Sequence, residues 1–159
     1  MATRPTSEMV RTAIFNSLES RGLLEGAVVA DLFAGSGALG IEALSRGATH
    51  AHFVETDPKA AATIRQNLDV LALGAEATVH PSAVERWELP QTLDVVLADP
   101  PYGWSGWEEL LGRLATFPDV VVAAESDRHI TADGWQVVAT KRHGGTVVSQ
   151  LRPRGANRT

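Results

Sequence analysis

Asp99-Pro100-Pro101-Tyr102 sets a carboxylate, two prolines and the chain's only tyrosine directly after the apolar run Val95-Val96-Leu97-Ala98. Those residue types suit a planar amine. The lone pair of an exocyclic base amine is delocalised into its ring, so the nitrogen is a poor nucleophile. Accepting its hydrogens on the Asp99 carboxylate and the Pro100 carbonyl favours the pyramidal, attacking form. Prolines fix φ and carry no N–H, so Pro100 and Pro101 keep those carbonyls rigidly presented. The Tyr102 ring can stack on an unpaired or flipped base. Rate would then come from alignment and electrostatics, without a strong base. A plain turn after a strand explains a proline pair, but it leaves the flanking Asp and Tyr unaccounted for.

A second group of residues describes a cofactor. Gly35, Gly37 and Gly40 match G-x-G-x-x-G after the apolar run that begins at Ala27, and an apolar helical pattern follows. Such a loop turns tightly, lets a ligand approach the backbone and aims a helix N-terminus at it. Glu55 lies twenty residues past Gly35, at the end of the next apolar run, where a carboxylate can accept from both ribose hydroxyls. NAD and S-adenosylmethionine fit these two features almost equally. Asp31, just ahead of the loop, favours the second: its charge would repel a pyrophosphate and attract an ammonium and a sulfonium. Asp57 precedes Pro58 and reads as a helix N-cap. Ser82-Ala83, after the third apolar run, stands where such folds often contact the adenine edge.

The elements needed to position these residues alternate strand and helix, the pattern of a parallel α/β sheet. Thr6 or Ser7 caps a first helix with Met9, Val10, Ala13, Ile14 and Leu18 on one side and Gly22 past its end. Strands are predicted at Ala27–Asp31, Ala51–Glu55, Ala77–His80, Leu93–Ala98 and Val120–Ala124. Helices are predicted from the glycine loop to Gly47, from Pro58 to Gly74, and over Trp104–Phe117 with Ser105 as cap. Trp135–Lys141 and Thr146–Leu151 flank His143-Gly144-Gly145 and read as an antiparallel hairpin. Strand four ends beside strand one, at the switch point where ligands bind, which brings Asp99 to the donor. Trp104 and Trp107, at helical spacing, read as core more than as a lid.

With 159 residues and 44% hydrophobic content, the chain suits one domain, residues 1–159, with Gly155 to Thr159 a solvated tail. No secretory leader or membrane span is read, and the absence of cysteine rules out disulfides and thiolate metal sites. A cytoplasmic location is the expectation. The five histidines lack metal-ligand spacing beyond His50-x-His52 and read as surface or structural, so no metal is expected. A net charge of −5 argues against a nonspecific nucleic-acid binder. The charge is uneven: residues 23–140 hold 17 acids against 6 Lys and Arg, net −11, whereas residues 141–159 hold 5 bases and no acid. Arg142, His143 and Arg152 can meet phosphates, although an exposed polar face explains them as well.

Asp31-Leu32-Phe33-Ala34-Gly35-Ser36-Gly37-Ala38-Leu39-Gly40-Ile41-Glu42-Ala43-Leu44-Ser45-Arg46-Gly47-Ala48 closely resembles the bacterial small-subunit (16S) ribosomal RNA guanine-N2 methyltransferases. So do Phe53-Val54-Glu55-Thr56-Asp57, Asp99-Pro100-Pro101-Tyr102, and the N-terminal Arg4-Pro5-Thr6 with Val10-Arg11 and Ile14-Phe15-Asn16. The likeness spans nearly the whole chain, with a shortened N-terminus relative to the family. It implies a Rossmann-like class I methyltransferase fold, a mostly parallel seven-stranded sheet ending in an antiparallel hairpin. It also implies S-adenosylmethionine as donor and one guanine amine of ribosomal RNA as acceptor. The weak basic surface adds the expectation of a pre-assembled small-subunit particle as substrate, and a monomer is favoured. By the same resemblance Phe33, Ala34, Gly35, Ser36 and Gly37 would hold the methionine and ribose part. Glu55 and Thr56 would hold the ribose, Asp99 to Tyr102 the base, and Arg4 and Thr6 the methionine end. Ser82 stands where the family commonly has Asn or Asp. The rivals are an adenine-N6 methyltransferase, an NAD-dependent oxidoreductase and an inactive binding module.

Overall fold

The computed structural model describes residues 7–155. Arg4, Thr6 and all but the first residue of the expected tail lie outside them. Seven strands form one sheet in the order β3-β2-β1-β4-β5-β7-β6. They are β1 (Val28–Leu32), β2 (His50–Val54), β3 (Ala77–His80), β4 (Val95–Ala98), β5 (Val121–Ser126), β6 (Trp135–His143) and β7 (Thr146–Pro153). β1 to β5 run parallel, and β7 lies antiparallel between β5 and β6. The class I methyltransferase architecture expected from the sequence is therefore present, hairpin included.

Central strands covered on both faces need apolar residues at nearly every position. β4 and β5 meet this requirement: every residue of either strand is buried. One face packs against α1 (Glu8–Ser20), α2 (Ala38–Ser45) and α3 (Pro58–Val70), through Phe15, Leu18, Phe53, Ile64 and Leu97 among others. The other packs against α4 (Trp107–Leu114), whose Trp107, Leu110, Leu111 and Leu114 recur at helical spacing. Each such large side chain contributes roughly 1.5–3 kcal/mol by leaving water.

Four departures from the expectations matter most. Ser7 caps α1 by accepting from Val10 N–H at 3.1 Å, but Met9 falls off the apolar stripe and is 71% exposed. α3 stops at Val70 because Ala72 turns left-handed at φ 56° and Leu73 N–H donates back to Leu68 at 2.9 Å. That closure precedes Gly74, so the glycine does not end the helix. β4 begins at Val95, two residues after the predicted Leu93. α4 begins at Trp107 with Gly106 as its cap, since Trp104 N–H turns back to the Pro101 carbonyl at 3.2 Å. A Cβ at position 106 would enter the Trp104 ring.

β2 and β3 bring together three histidines that look unrelated in sequence. His52 Nδ1 lies 3.0 Å from His80 Nε2, and Trp87 packs against both rings. His50 meets His52 edge-on and shares a hydrogen bond with Thr78. Burial, then the neighbouring His50 and His80, lowers the His52 pKa from 6.5 to about 4, and burial also lowers that of His80. A base whose pKa falls on folding stabilises the fold above its unfolded pKa and loses that contribution as pH falls through the window down to the folded value. The stability advantage of the wild type over His52→Asn should therefore hold above about pH 6.5 and shrink steadily towards pH 4. Thermal unfolding of both proteins across that range measures it, and a pH-independent difference would refute the account.

Candidate active site

Strand order reverses between β1 and β4, so the loops leaving these two strands diverge and open a crevice at their C-terminal ends. There a cleft of about 540 Å³ is lined by Phe33, Gly35, Glu55, Thr56, Ser82, Ala83, Asp99 and Pro101, among others. Its size suits a cofactor-sized ligand. Six of the residues assigned to a cofactor from sequence thus share one cavity with two assigned to the amine.

Local structure explains how the loop is held. Phe33 takes φ 60°, a left-handed conformation that costs a non-glycine residue of order 1–3 kcal/mol. Its ring meets Trp104 edge-on at 5.0 Å, and Trp104 in turn meets Trp107 and donates its indole N–H to Glu85 at 3.1 Å. Trp107 is core as expected. Trp104 is not; it is half-buried outside α4 and joins the loop to the helix. Glu55 accepts from Gly35 N–H at 2.7 Å on one oxygen and from Asp57 N–H at 3.0 Å on the other. It braces the glycine loop against the end of β2, a role that spacing alone did not suggest. Two accepted bonds leave a carboxylate with further lone pairs. Asn67 of α3 ties the Ser36 carbonyl from outside at 3.0 Å.

Asp31 is buried at the centre of the sheet, in register with Phe53 and Leu97. One oxygen accepts from Gly40 N–H at 2.9 Å, and the other has no hydrogen-bond partner among the described residues. Burial pushes its pKa well up; the Gly40 bond opposes this, while Asp99 and Glu55 add to it by repulsion. Three carboxylates therefore gather at one end of three adjoining strands, β2, β1 and β4, an arrangement that favours a cation.

Ala34, Ser36 and Gly37 sit in the loop without lining the cleft, Pro100 and Tyr102 lie outside it, and Asp31 lies beneath. Tyr102 is 54% exposed beside the cleft mouth. Val54, Asp57, Ala60, Val84 and Glu85 line the cleft and were not assigned to it from sequence. Asp57 does cap α3, accepting from Lys59 N–H at 3.1 Å, so its capping pattern hid its second position. The 3₁₀ turn at Val84–Arg86 gave no sequence signal. Among the described residues no group of three or more His, Cys, Asp or Glu side chains is placed to hold a metal.

The family model described as Conserved hypothetical protein 95 matches residues 1–152. "Putative rRNA methyltransferase YlbH" of Bacillus subtilis is 39% identical over 137 residues, 83% of this chain and 71% of that protein. Ribosomal RNA small subunit methyltransferase D of Haemophilus influenzae is 31% identical over 153 residues, 89% of this chain and 78% of that protein. An RNA methyltransferase from Salinibacter ruber, solved with S-adenosyl-L-homocysteine, superposes with a TM-score of 0.75 at 20% identity, covering 98% of each chain.

The glycine loop packs tightly at Gly37 and Gly40. Gly37 has φ 86°, and a Cβ on Gly40 would enter the Phe53 ring. Gly40→Ala should lower stability by about 1–3 kcal/mol through overpacking, read from the denaturation midpoint. An unchanged midpoint would show that the ring gives way freely.

Proposed function

The chain belongs to the family described as Conserved hypothetical protein 95, that of the ribosomal RNA small-subunit methyltransferases, and we propose that it transfers a methyl group from S-adenosylmethionine to a guanine N2 amine in small-subunit ribosomal RNA. The observation carrying this reading is the cleft that joins the glycine loop and Glu55 to Asp99 and Pro101 at the β1/β4 switch point.

The residues present fit that donor. Asp31 keeps a buried oxygen without a partner among the described residues, and its neighbours Asp99 and Glu55 are also acidic. An ammonium and a sulfonium would relieve this repulsion, whereas a dinucleotide pyrophosphate would add to it. Gly35 and Glu55 stand ready for the ribose, and Ser82 and Ala83 for the adenine. When bound, the donor supplies an electrophilic methyl group. Asp99 and the Pro100 carbonyl accept the amine hydrogens, orient the nitrogen lone pair and disperse the positive charge that grows on it. Tyr102 stacks on the base once it leaves its neighbours. Domain extent follows the same reading: residues 1–159 act as one catalytic domain.

Two variants separate donor binding from transfer. Asp99→Ala should lower the transfer rate at least 10²-fold while calorimetric affinity for S-adenosylmethionine stays within a few-fold. Full activity in that variant would rule out the amine grip. Asp31→Asn keeps an acceptor for Gly40 N–H but removes the charge, so donor affinity should fall tenfold or more, about 1.4 kcal/mol. With labelled donor and unmodified small-subunit ribosomal RNA, the label should appear in N2-methylguanine after digestion; label only in adenine would establish the N6 alternative.

A further inference from the structure

We propose that the tip of the β6–β7 hairpin, Lys141-Arg142-His143, together with Arg128, holds the RNA backbone phosphates next to the target base. The inference rests on the function proposed above and names the surface that the site would use for its RNA.

In sequence, the basic end of the chain is one block; the sheet splits it in two. Ser126 ends β5 and pairs with Val147, and Val147 pairs with Arg142. The hairpin tip therefore stands at the same edge of the sheet as the cleft. At ~4.8 Å per strand, Arg142 lies about 10 Å to the side of the last residue of β5. A nucleotide or two of extended backbone covers such a distance. Arg152 pairs with Gln136 and the Arg154 backbone with Gly134, at the opposite edge, so neither can reach the same strand of RNA.

Arg128 follows the end of β5 by two residues. It lines a narrow crevice with Pro100, Tyr102, Trp104 and Ser126, one wall of which is the proposed amine grip. The bond between His129 and Thr140, at 3.3 Å, fastens its loop to β6. Its pairing with Asp127 is long, at 3.4 Å, and exposed on both sides, which leaves the guanidinium available. Lys141 and Arg142 are exposed, alternate to opposite faces of the strand, and make no ion pair among the described residues. Against a body of net −11, this tip offers an RNA backbone an attractive approach to Tyr102.

Charged residues on an edge strand also discourage strand-to-strand association, and that use predicts a different result. The test takes the full chain, the double variant Lys141→Gln/Arg142→Gln, and Arg152→Gln as the control at the other edge. The probe is unmodified small-subunit ribosomal RNA made by transcription, alone and assembled with its ribosomal proteins. In the double variant the slope of log affinity against log salt should shrink by about one to two. KM for RNA should rise about tenfold or more, with donor affinity unchanged and Arg152→Gln like wild type. An unchanged slope and KM would overturn the inference, as would an equal loss in Arg152→Gln. Self-association of the double variant with normal RNA binding would overturn it in favour of edge protection. A wild type that methylates guanine while these variants behave normally leaves the proposed function standing; a wild type that methylates no guanine removes both.

Discussion

A carboxylate without full compensation, buried where the strand order reverses, is the constraint around which the rest of this structure is arranged. Among the described residues Asp31 has one hydrogen bond, from Gly40, and the acids Asp99 and Glu55 nearby. Burying such a group costs several kcal/mol unless it is paired or neutralised. The apolar body of the sheet supplies what offsets it: β1, β4 and β5 are buried almost throughout, and two packed faces hold them in register. Stability made in the core is thus set against a site poised for positive charge.

That bond to Gly40 also shapes the loop. It anchors the third glycine of the loop to the strand, while Glu55 anchors the first from the next strand over. Between the anchors the backbone has little freedom, and Phe33 is held left-handed with its ring against Trp104. Trp104 then touches Trp107, part of the α4 core. A continuous line of contacts therefore runs from the donor loop to the helix that follows the amine turn. Preorganisation of this kind lets a site position two reactants without moving much itself.

The histidine row on β2 and β3 is a separate matter. His52 and His80 pack against Trp87, and burial there lowers the pKa of both. Their pairing links the edge of the sheet to pH, through packing rather than chemistry at the cleft.

Local information was enough for the strands and for the starts of most helices, and it picked out six residues that share the cleft. Unbroken apolar runs mark buried parallel strands, glycines mark the loop, and Ser7 and Asp57 cap helices by bonds within three residues. The Asp99 to Tyr102 turn is conspicuous in sequence because its parts are adjacent. What the sequence left open depends on contacts between distant segments. The left-handed closure at Ala72 ends α3 before its glycine. Trp104 leaves the core because Pro101 and Gly106 bend the chain around it. Glu55 acts as a brace because the β1–β2 register sets it beside Gly35. Most of all, the basic C-terminal stretch is one patch in sequence and two in space. An antiparallel strand reverses direction along the sheet, so only the tertiary structure could place Lys141 and Arg142 at the same edge as the cleft and Arg152 at the opposite one.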